Sequence, residues 1–439
     1  MSLDSQKVET QPSLQMNEQQ CPQCQAFIPV FPGYPTWCDQ CGWNLQVQEP
    51  SPFDNLFDKL YRATGQKLNQ QLFEQMVKTK LLKPGWSFSK TLAFLLAGCV
   101  HGVTLIFIVL GIWLSTLGWP NLWGLIPGLP CFLFAWLLLP DLPKLPTQPL
   151  PRNQFPTLYQ LTDRITQSLG SSPIDGIVWD IHFNAAFGQF GWKRKKILIL
   201  GIPLFAILDE QEKVALLSHE LAHGVNGDPS RSFFISAAIH SLATWYTIIY
   251  PHNRWHMSIG PIAILMFLIN LVSLLLAGLI WLWAYILVHL LWRDKQRAEY
   301  LADFLAARVS GTDAQLATLE KVHLNETFRL SLKIAYLNRE GQNFFTRFKQ
   351  RIATVPSREL ERIRRVEKLE YARLDATHPP TAQRIEFLKA HYVPETKVVL
   401  SLVELTQLEQ ELTLLQEEMQ KELFTLDSLS FRSLFGLSW

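Results

Sequence analysis

Long uncharged apolar runs alternate with mixed segments along this chain, and the lengths of the runs set the first expectation. Residues 91–114 carry no formal charge over 24 positions, residues 122–139 are again uncharged with Pro127 and Pro130 inside them, and residues 233–250 and 259–292 are uncharged as well. A helix needs about 20 apolar residues to cross a hydrocarbon core of about 30 Å, so these are four candidate spans, paired as hairpins through 115–121 and 251–258. Between the hairpins the pattern changes. Asp209 to Gly224 reads as a helix with an aspartate N-cap, Glu212 three residues on and Gly227 near its end. Lys196 to Leu200 reads as a strand, to which Ile177 to Phe183 would pair across a turn holding Gly188 and Gly191. Arg293 to Val309 reads as a helix stopped by Gly311. Near the end, Leu405, Leu408, Leu412, Leu415 and Met419 recur at steps of three and four beside Glu409, Glu411, Glu417, Glu418 and Glu422, which predicts a short acidic amphipathic helix.

Composition agrees with this division. Of 439 residues 48% are hydrophobic and only 18% charged, the mean hydropathy is +0.08, and 40 Lys+Arg against 38 Asp+Glu leave a net charge of +2, so nothing points to a nucleic-acid partner. Residues 1–20 are polar without periodicity, which predicts a disordered tail and shows no signal-peptide core. Basic residues gather on one side of the spans: Lys78, Lys80, Lys83 and Lys90 precede the first, Lys144 and Arg152 follow the second, Arg231 precedes the third, and Arg293, Lys295 and Arg297 follow the fourth. The hairpin connections hold only Arg254, so the positive-inside rule puts both termini and residues 140–232 in the cytoplasm.

Four of the six cysteines form two knuckles, Cys21-x-x-Cys24 and Cys38-x-x-Cys41-Gly42, separated by thirteen residues. Four thiolates so spaced close a tetrahedron around Zn²⁺ at about 2.3 Å per bond, which makes a structural zinc ribbon the expected module; a redox pair or an iron site would use similar spacing. The second constellation is His219-Glu220-Leu-Ala-His223. Histidines four apart on a helix face the same way and can bind one metal, while Glu220 stands beside it to take a proton from a water the metal acidifies. A third ligand must come from the same side of the membrane. Two spans return the chain there, to Glu299 and Asp303, one turn apart: Glu299 would ligate the metal and Asp303 would hydrogen-bond the far nitrogen of His219, unless both are ordinary solvated acids.

These residues resemble the HtpX-like and CAAX-prenyl-protease group of integral-membrane zinc metallopeptidases. The resemblance rests on Asn184-Ala-Ala-Phe187, His219-Glu-Leu-Ala-His223 with Asn226-Gly-Asp228, Glu299-x-x-Ala-Asp303, and Thr377-His378-Pro-Pro380 with Arg384-Ile385, in family order. It implies one catalytic zinc on His219, His223 and Glu299 with Glu220 as base, and a substrate-binding role for Asn184 and Arg384. His378 would donate to the developing oxyanion, or else merely cap or pack. A substrate peptide would add as a strand along an edge carrying Ile197 and Ile199. The leading cysteine module and the tail after Leu388 depart from the familiar pattern.

The expected fold class is a mainly α membrane protein with four transmembrane helices, a cytoplasmic α+β gluzincin-type protease domain and a small zinc ribbon. The chain would divide into a tail (1–20), ribbon (21–48), helical linker (49–90), transmembrane hairpin (91–139), first protease segment (140–232), second hairpin (233–292), second protease segment (293–395) and acidic extension (396–439). The expected activity is zinc-dependent endopeptidase cleavage of membrane or misfolded polypeptides at a bacterial inner membrane, with a protein partner for the ribbon or C-terminal helix. Processing of prenylated CAAX proteins and a non-catalytic scaffold are the alternatives. The cofactors expected are one catalytic and one structural Zn²⁺.

Overall fold

The computed structural model describes residues 17–45, 56–79, 88–117, 122–139, 144–145, 147–191, 193–225, 228–250, 261–338, 341–369 and 378–425. The first of these segments opens with strand β1 (Asn17–Gln20) antiparallel to β2 (Phe27–Val30), with Asn17 opposite Val30. Strand pairing thus reaches four residues into the segment expected to be disordered, while residues 1–16 lie outside the described residues. Glu18, Gln19 and Gln20 leave their side chains exposed and pair through the backbone, which composition does not report.

Helix α1 (Leu56–Lys78) falls in the expected helical linker and packs against later helices. It buries Leu72 and Met76 against Tyr300, Ala307, Phe387 and Leu388, and Asn69 donates to Gln383 Oε1 at 2.7 Å. Helix α2 (Phe88–Leu117) follows. The expected span over 122–139 is broken into a 3₁₀ segment (Leu122–Gly128) and a nine-residue helix α3 (Leu129–Leu137). Pro127 lies inside the first and Pro130 in the opening turn of the second, and a proline has no N–H to carry one helical ladder through both.

After α4 (Pro156–Ser168) come β3 (Gly176–Asp180), β4 (Ala185–Phe190) and β5 (Lys195–Gly201), in the order β3-β5-β4. β3 runs parallel to β5 with Ile177 opposite Leu198, and β4 runs antiparallel to β5 with Phe187 opposite Leu198. Two expectations are corrected here. Gly188 is a strand residue rather than part of a turn, so the hairpin partner of β5 is β4 and not the stretch from Ile177. β5 is therefore the central strand with both edges paired, and the backbones of Ile197 and Ile199 cannot accept an added peptide; the free edge on that side belongs to β4. Ile177, Leu198 and Leu200 share one core with Leu158 and Leu161 of α4.

A short α5 (Ile202–Ile207) leads into α6 (Glu210–Val225) and α7 (Asp228–Ile249). Then a single helix, α8, runs fifty residues from Pro261 to Ser310, so the fourth apolar run and the expected helix from Arg293 are one element. Gly311, at φ +86°, ends it. α2, α7 and α8 pack through Ala93, Ala97, Val100, Ile235, Ala238, Leu242, Trp245 and Leu287, and His101 Nε2 on α2 donates to the Phe234 carbonyl of α7 at 3.0 Å. Among the described residues two helices, Phe88–Leu117 and Ile264–Ser310, are long and apolar enough to cross a membrane; the apolar stretches Leu125–Leu137 and Phe233–Ile249 are shorter.

The remaining helices are α9 (Thr312–Val322), α10 (Asn325–Leu337), α11 (Phe344–Ala353), α12 (Ser357–Leu369), α13 (Thr381–Ala390) and α14 (Leu402–Thr425). α14, the acidic extension, docks on its own domain. Leu408, Leu412, Leu415, Met419 and Leu423 enter the main core, and Glu411 accepts the amides of Thr157 and Leu158 at 2.8 and 2.9 Å, capping the first turn of α4.

Candidate metal centres

Helix α6 is fixed at its start by a capping interaction in which Glu212 Oε2 accepts the Asp209 amide at 2.7 Å, with Lys321 Nζ on the same oxygen at 2.6 Å. Val214, Leu217 and Leu221 anchor it in the core, which leaves His219, Glu220 and His223 on the side toward α8. The imidazoles of His219 and His223 stand with centroids 5.0 Å apart and planes 89° to each other. His219 Nε2 lies 3.6 Å from Glu299 Oε2, and His223 Nε2 lies 3.6 Å from Glu299 Oε1. Three tetrahedral ligands each about 2.1 Å from one Zn²⁺ would sit roughly 3.4 Å from one another, so these donor atoms are spaced for a shared ion. Two neutral imidazoles and a carboxylate also match zinc in softness and charge. Glu220 is half-buried on the same turn.

The other face of His219 is held by a buried charge cluster. Its Nδ1 lies 3.0 Å from Asp303 Oδ1. Asp303 has no exposed surface, and Arg384 closes on it with a two-pronged grip, Nε to Oδ2 and Nη2 to Oδ1, both at 2.7 Å. Gln315 Nε2 on α9 adds a third donor at 3.0 Å. Burial alone would raise the Asp303 carboxyl; the Arg384 charge, with His219, brings it down to about 2 instead. Burial likewise disfavours the charged form of His219, yet in the metal-free site Asp303 and Glu299 push it up to about 10. Burial opposes ionisation of Glu299 too, but His219 and His378 hold its carboxyl well below the usual range. His219, His223 and Glu299 would hold the zinc, for which the ligating nitrogens must be unprotonated, with Asp303 against the far nitrogen of His219.

Three further residues predicted at the site have the following contacts. Arg384, expected to touch substrate, is buried and spent on Asp303, with Nη2 also 3.8 Å from Glu299 Oε2. His378 lies over half exposed at the mouth of the site, its Nδ1–H donating to Glu299 Oε2 at 2.7 Å. A neutral His378 in that pose has only a lone pair on Nε2, so it donates to an oxyanion only as the imidazolium. Asn184 precedes β4 with its side chain exposed, and its carbonyl accepts the Gly201 amide at 2.9 Å. Phe187 of β4 packs against Gly224, where a Cβ would meet the ring at 3.0 Å; that missing Cβ lets the strand lie beside the end of α6. Thr377, Asn226 and Gly227 fall outside the described residues. Reading the sequence missed Gln315 and the partner of Arg384. The one available signal was that an acid as deeply placed as Asp303 requires a counter-charge.

The cysteine cluster is a second, separate centre. Cys21 and Cys41 bring their sulfurs to 3.6 Å, and Cys24 and Cys38 to 3.5 Å, against roughly 3.8 Å for thiolates about 2.3 Å from one zinc. The knuckles match in form: Gln25 and Gly42 follow their cysteine pairs at φ +65° and +75°, and the amides of Gln25 and Gly42 return to the carbonyls of Cys21 and Cys38. The module sits on α12. Trp37, 1% exposed, is flanked by the guanidiniums of Arg358 and Arg365 at 4.5 and 5.0 Å from its ring. Arg358, Arg362 and Arg365 donate to the carbonyls of Trp37, Leu45 and Asp39 at 2.7, 3.2 and 2.7 Å.

Comparison with known proteins gives one positive finding. A family model for peptidase family M48 matches residues 157–392, which is more than half of the chain and runs from α4 to just beyond α13. Neither curated proteins nor solved structures yield a match. The matched span contains His219, Glu220, His223, Glu299, Asp303, His378 and Arg384, and leaves the cysteine module and α14 outside it. With that match over a metal-spaced HExxH site, the chain belongs to peptidase family M48, a family of zinc-dependent metallopeptidases.

Proposed function

We propose that this metallopeptidase is a membrane-embedded endopeptidase that cuts polypeptides on the cytoplasmic side, chiefly membrane or misfolded proteins. The observation that carries the chemistry is the convergence of the His219, His223 and Glu299 donor atoms at zinc spacing, with Glu220 on the same turn. Zinc held there supplies the Lewis acidity that polarises a peptide carbonyl and acidifies water. The Glu220 carboxylate accepts the proton of the attacking water and passes it to the leaving amine. Asp303, gripped by Arg384 and Gln315, keeps the proton on His219 Nδ1 so that Nε2 presents its lone pair. His378, in its protonated form, stabilises the oxyanion from the mouth of the site. The free edge of β4, starting at Asn184, accepts the substrate backbone.

The membrane reading rests on apolar surface. Leu105, Trp113, Phe134, Leu275 and Trp281 are all more than half exposed on α2, α3 and α8, a burden no soluble chain carries without a partner. Four apolar segments that pack together supply the membrane unit, and the basic residues at their ends support a cytoplasmic location for both termini and the active site. The ribbon adds a second, structural zinc.

The test is cleavage of a loop-containing membrane protein by the wild-type chain and by Glu220→Gln in vesicles. Wild type should cut and the variant should not. Equal activity of the two would reject the assignment.

A further inference from the structure

We infer that the enzyme measures its cleavage point from the bilayer, cutting membrane substrates about four to six residues from the end of an apolar span; this rests on the membrane-peptidase reading above. Two independent parts of the structure set the distance. The first is α8, continuous from the apolar unit to the metal site. Among the described residues its exposed apolar side chains run from Ile264 to Val288, and on α2 a continuous exposed apolar band runs from Leu95 to Leu117, with Phe88 exposed apart from it beyond Lys90. At 1.5 Å per residue these bands are about 36 and 33 Å long, matching a hydrocarbon core of about 30 Å crossed at a modest tilt. The edge of the core on the catalytic side therefore falls near Val288 and Leu95. Just beyond it Lys90 Nζ pairs with Asp294 at 3.4 Å, a charge pair suited to the headgroup layer. Glu299 follows Val288 by eleven positions, so the metal site lies roughly 16 Å past the hydrocarbon edge.

The second part is the hairpin of β4 and β5. The Arg194 guanidinium lies 5.3 Å from the ring of Phe233, where the apolar stretch of α7 begins, which places the hairpin tip at the level where α7 enters the membrane. Phe190, Lys193, Arg194 and Lys195 give that tip an aromatic and basic character suited to an interface with anionic headgroups. From the tip, β4 leads back to Phe187, which packs on Gly224 next to the metal ligand His223. Arg194, the residue at the level where α7 enters the membrane, lies four positions from Leu198, the partner of Phe187, which is about 13 Å of strand, and an extended substrate advances about 3.3 Å per residue. A chain leaving the membrane and pairing with the free edge of β4 thus covers the roughly 13 to 16 Å in about four or five residues. The spacing comes from the rigid helix and strand, not from a side-chain pocket, so position should outrank sequence.

The experiment uses the full chain in phosphatidylethanolamine and phosphatidylglycerol vesicles with a single-span substrate whose cytoplasmic tail is one repeated tripeptide. Cuts are mapped by mass spectrometry, then again after the first four tail residues are replaced by leucine to lengthen the span. Cuts confined to about four to six residues from the span, moving outward by four in the second substrate, are expected. Cuts spread along the tail, or staying at the same tail residues, overturn the ruler while leaving the peptidase assignment intact, provided Glu220→Gln is inactive. If wild type and Glu220→Gln treat every substrate alike, including the detached tail, the peptidase reading itself falls and the ruler with it.

Discussion

The two candidate metal centres are assembled from opposite materials. The cysteine cluster takes its four donors from twenty-one consecutive residues, held by two matching turns, with Cys21 and Cys38 buried and Cys24 and Cys41 exposed. The histidine cluster takes two donors from α6 and one from α8, eighty residues apart at the extremes, three in all, with the exposed His378 beside Glu299. A closed set of thiolates can stabilise a fold but has no position for a substrate, whereas a three-ligand set does. The same contrast appears in their surroundings. The ribbon is gripped through backbone carbonyls by arginines of α12, while the histidine site is gripped through a buried acid by Arg384 and Gln315. One arrangement secures a module; the other sets a buried charge beside His219.

The largest effect that sharpens this comparison is expected at Glu220. Glu220→Gln should reduce peptide cleavage by about 100- to 10,000-fold while metal analysis still finds the wild-type zinc content, since the proton acceptor is lost but no ligand is. Next comes Arg384. Arg384→Met strips the counter-charge from a fully buried carboxylate and should destabilise the chain by about 3–5 kcal/mol in denaturant unfolding. Arg384→Lys keeps the charge but loses the fork, and should weaken zinc binding by about 10- to 100-fold in competition with a chelator. Should Arg384→Lys instead raise KM with zinc affinity untouched, Arg384 would be a substrate contact after all.

A smaller effect on activity is expected from the other centre. Cys24→Ser with Cys38→Ser should remove one zinc per chain and open residues 17–45 to proteolysis, yet change turnover of a detached peptide by no more than about threefold, because the ribbon is held on α12 while the histidine site is built on α6 and α8. A collapse of turnover would show that the two centres are one unit. The smallest change is expected for Arg358→Ala, which loses the stacking on Trp37 and one charged hydrogen bond at a partly exposed site. It should loosen the ribbon by about 1–2 kcal/mol, read as faster hydrogen exchange in residues 17–45.

Legibility in the sequence follows the same division. His219, Glu220 and His223 could be read because helical spacing alone puts them on one face. The cysteine pairs could be read because a knuckle is a local turn. Glu299 and Asp303 needed one further step, counting spans to bring the chain back to the same side. The pairing of the stretch from Ile177 with β5 could be read, but not its parallel direction or the second partner, β4: residues 176–180 and 185–190 both carry strand-compatible patterns, and which lies on which side depends on how the sheet packs against its helices. That choice moved the free edge from Ile197 and Ile199 to β4. Nor could the docking of helix α1, within the expected helical linker, be read, since Leu72 and Met76 gain their partners from residues more than two hundred positions away.

By itself the sequence determined the donor atoms, their local spacing, the apolar runs and the polar face of α14, because each depends on residues within a few turns of one another. Tertiary structure alone decided the 3.6 Å approach of Glu299 to both histidines, that Arg384 closes on Asp303, and that three arginines hold the ribbon. Those outcomes join residues about 80 to 330 positions apart, and such contacts form only after burial of the shared core has offset the entropy of bringing distant segments together.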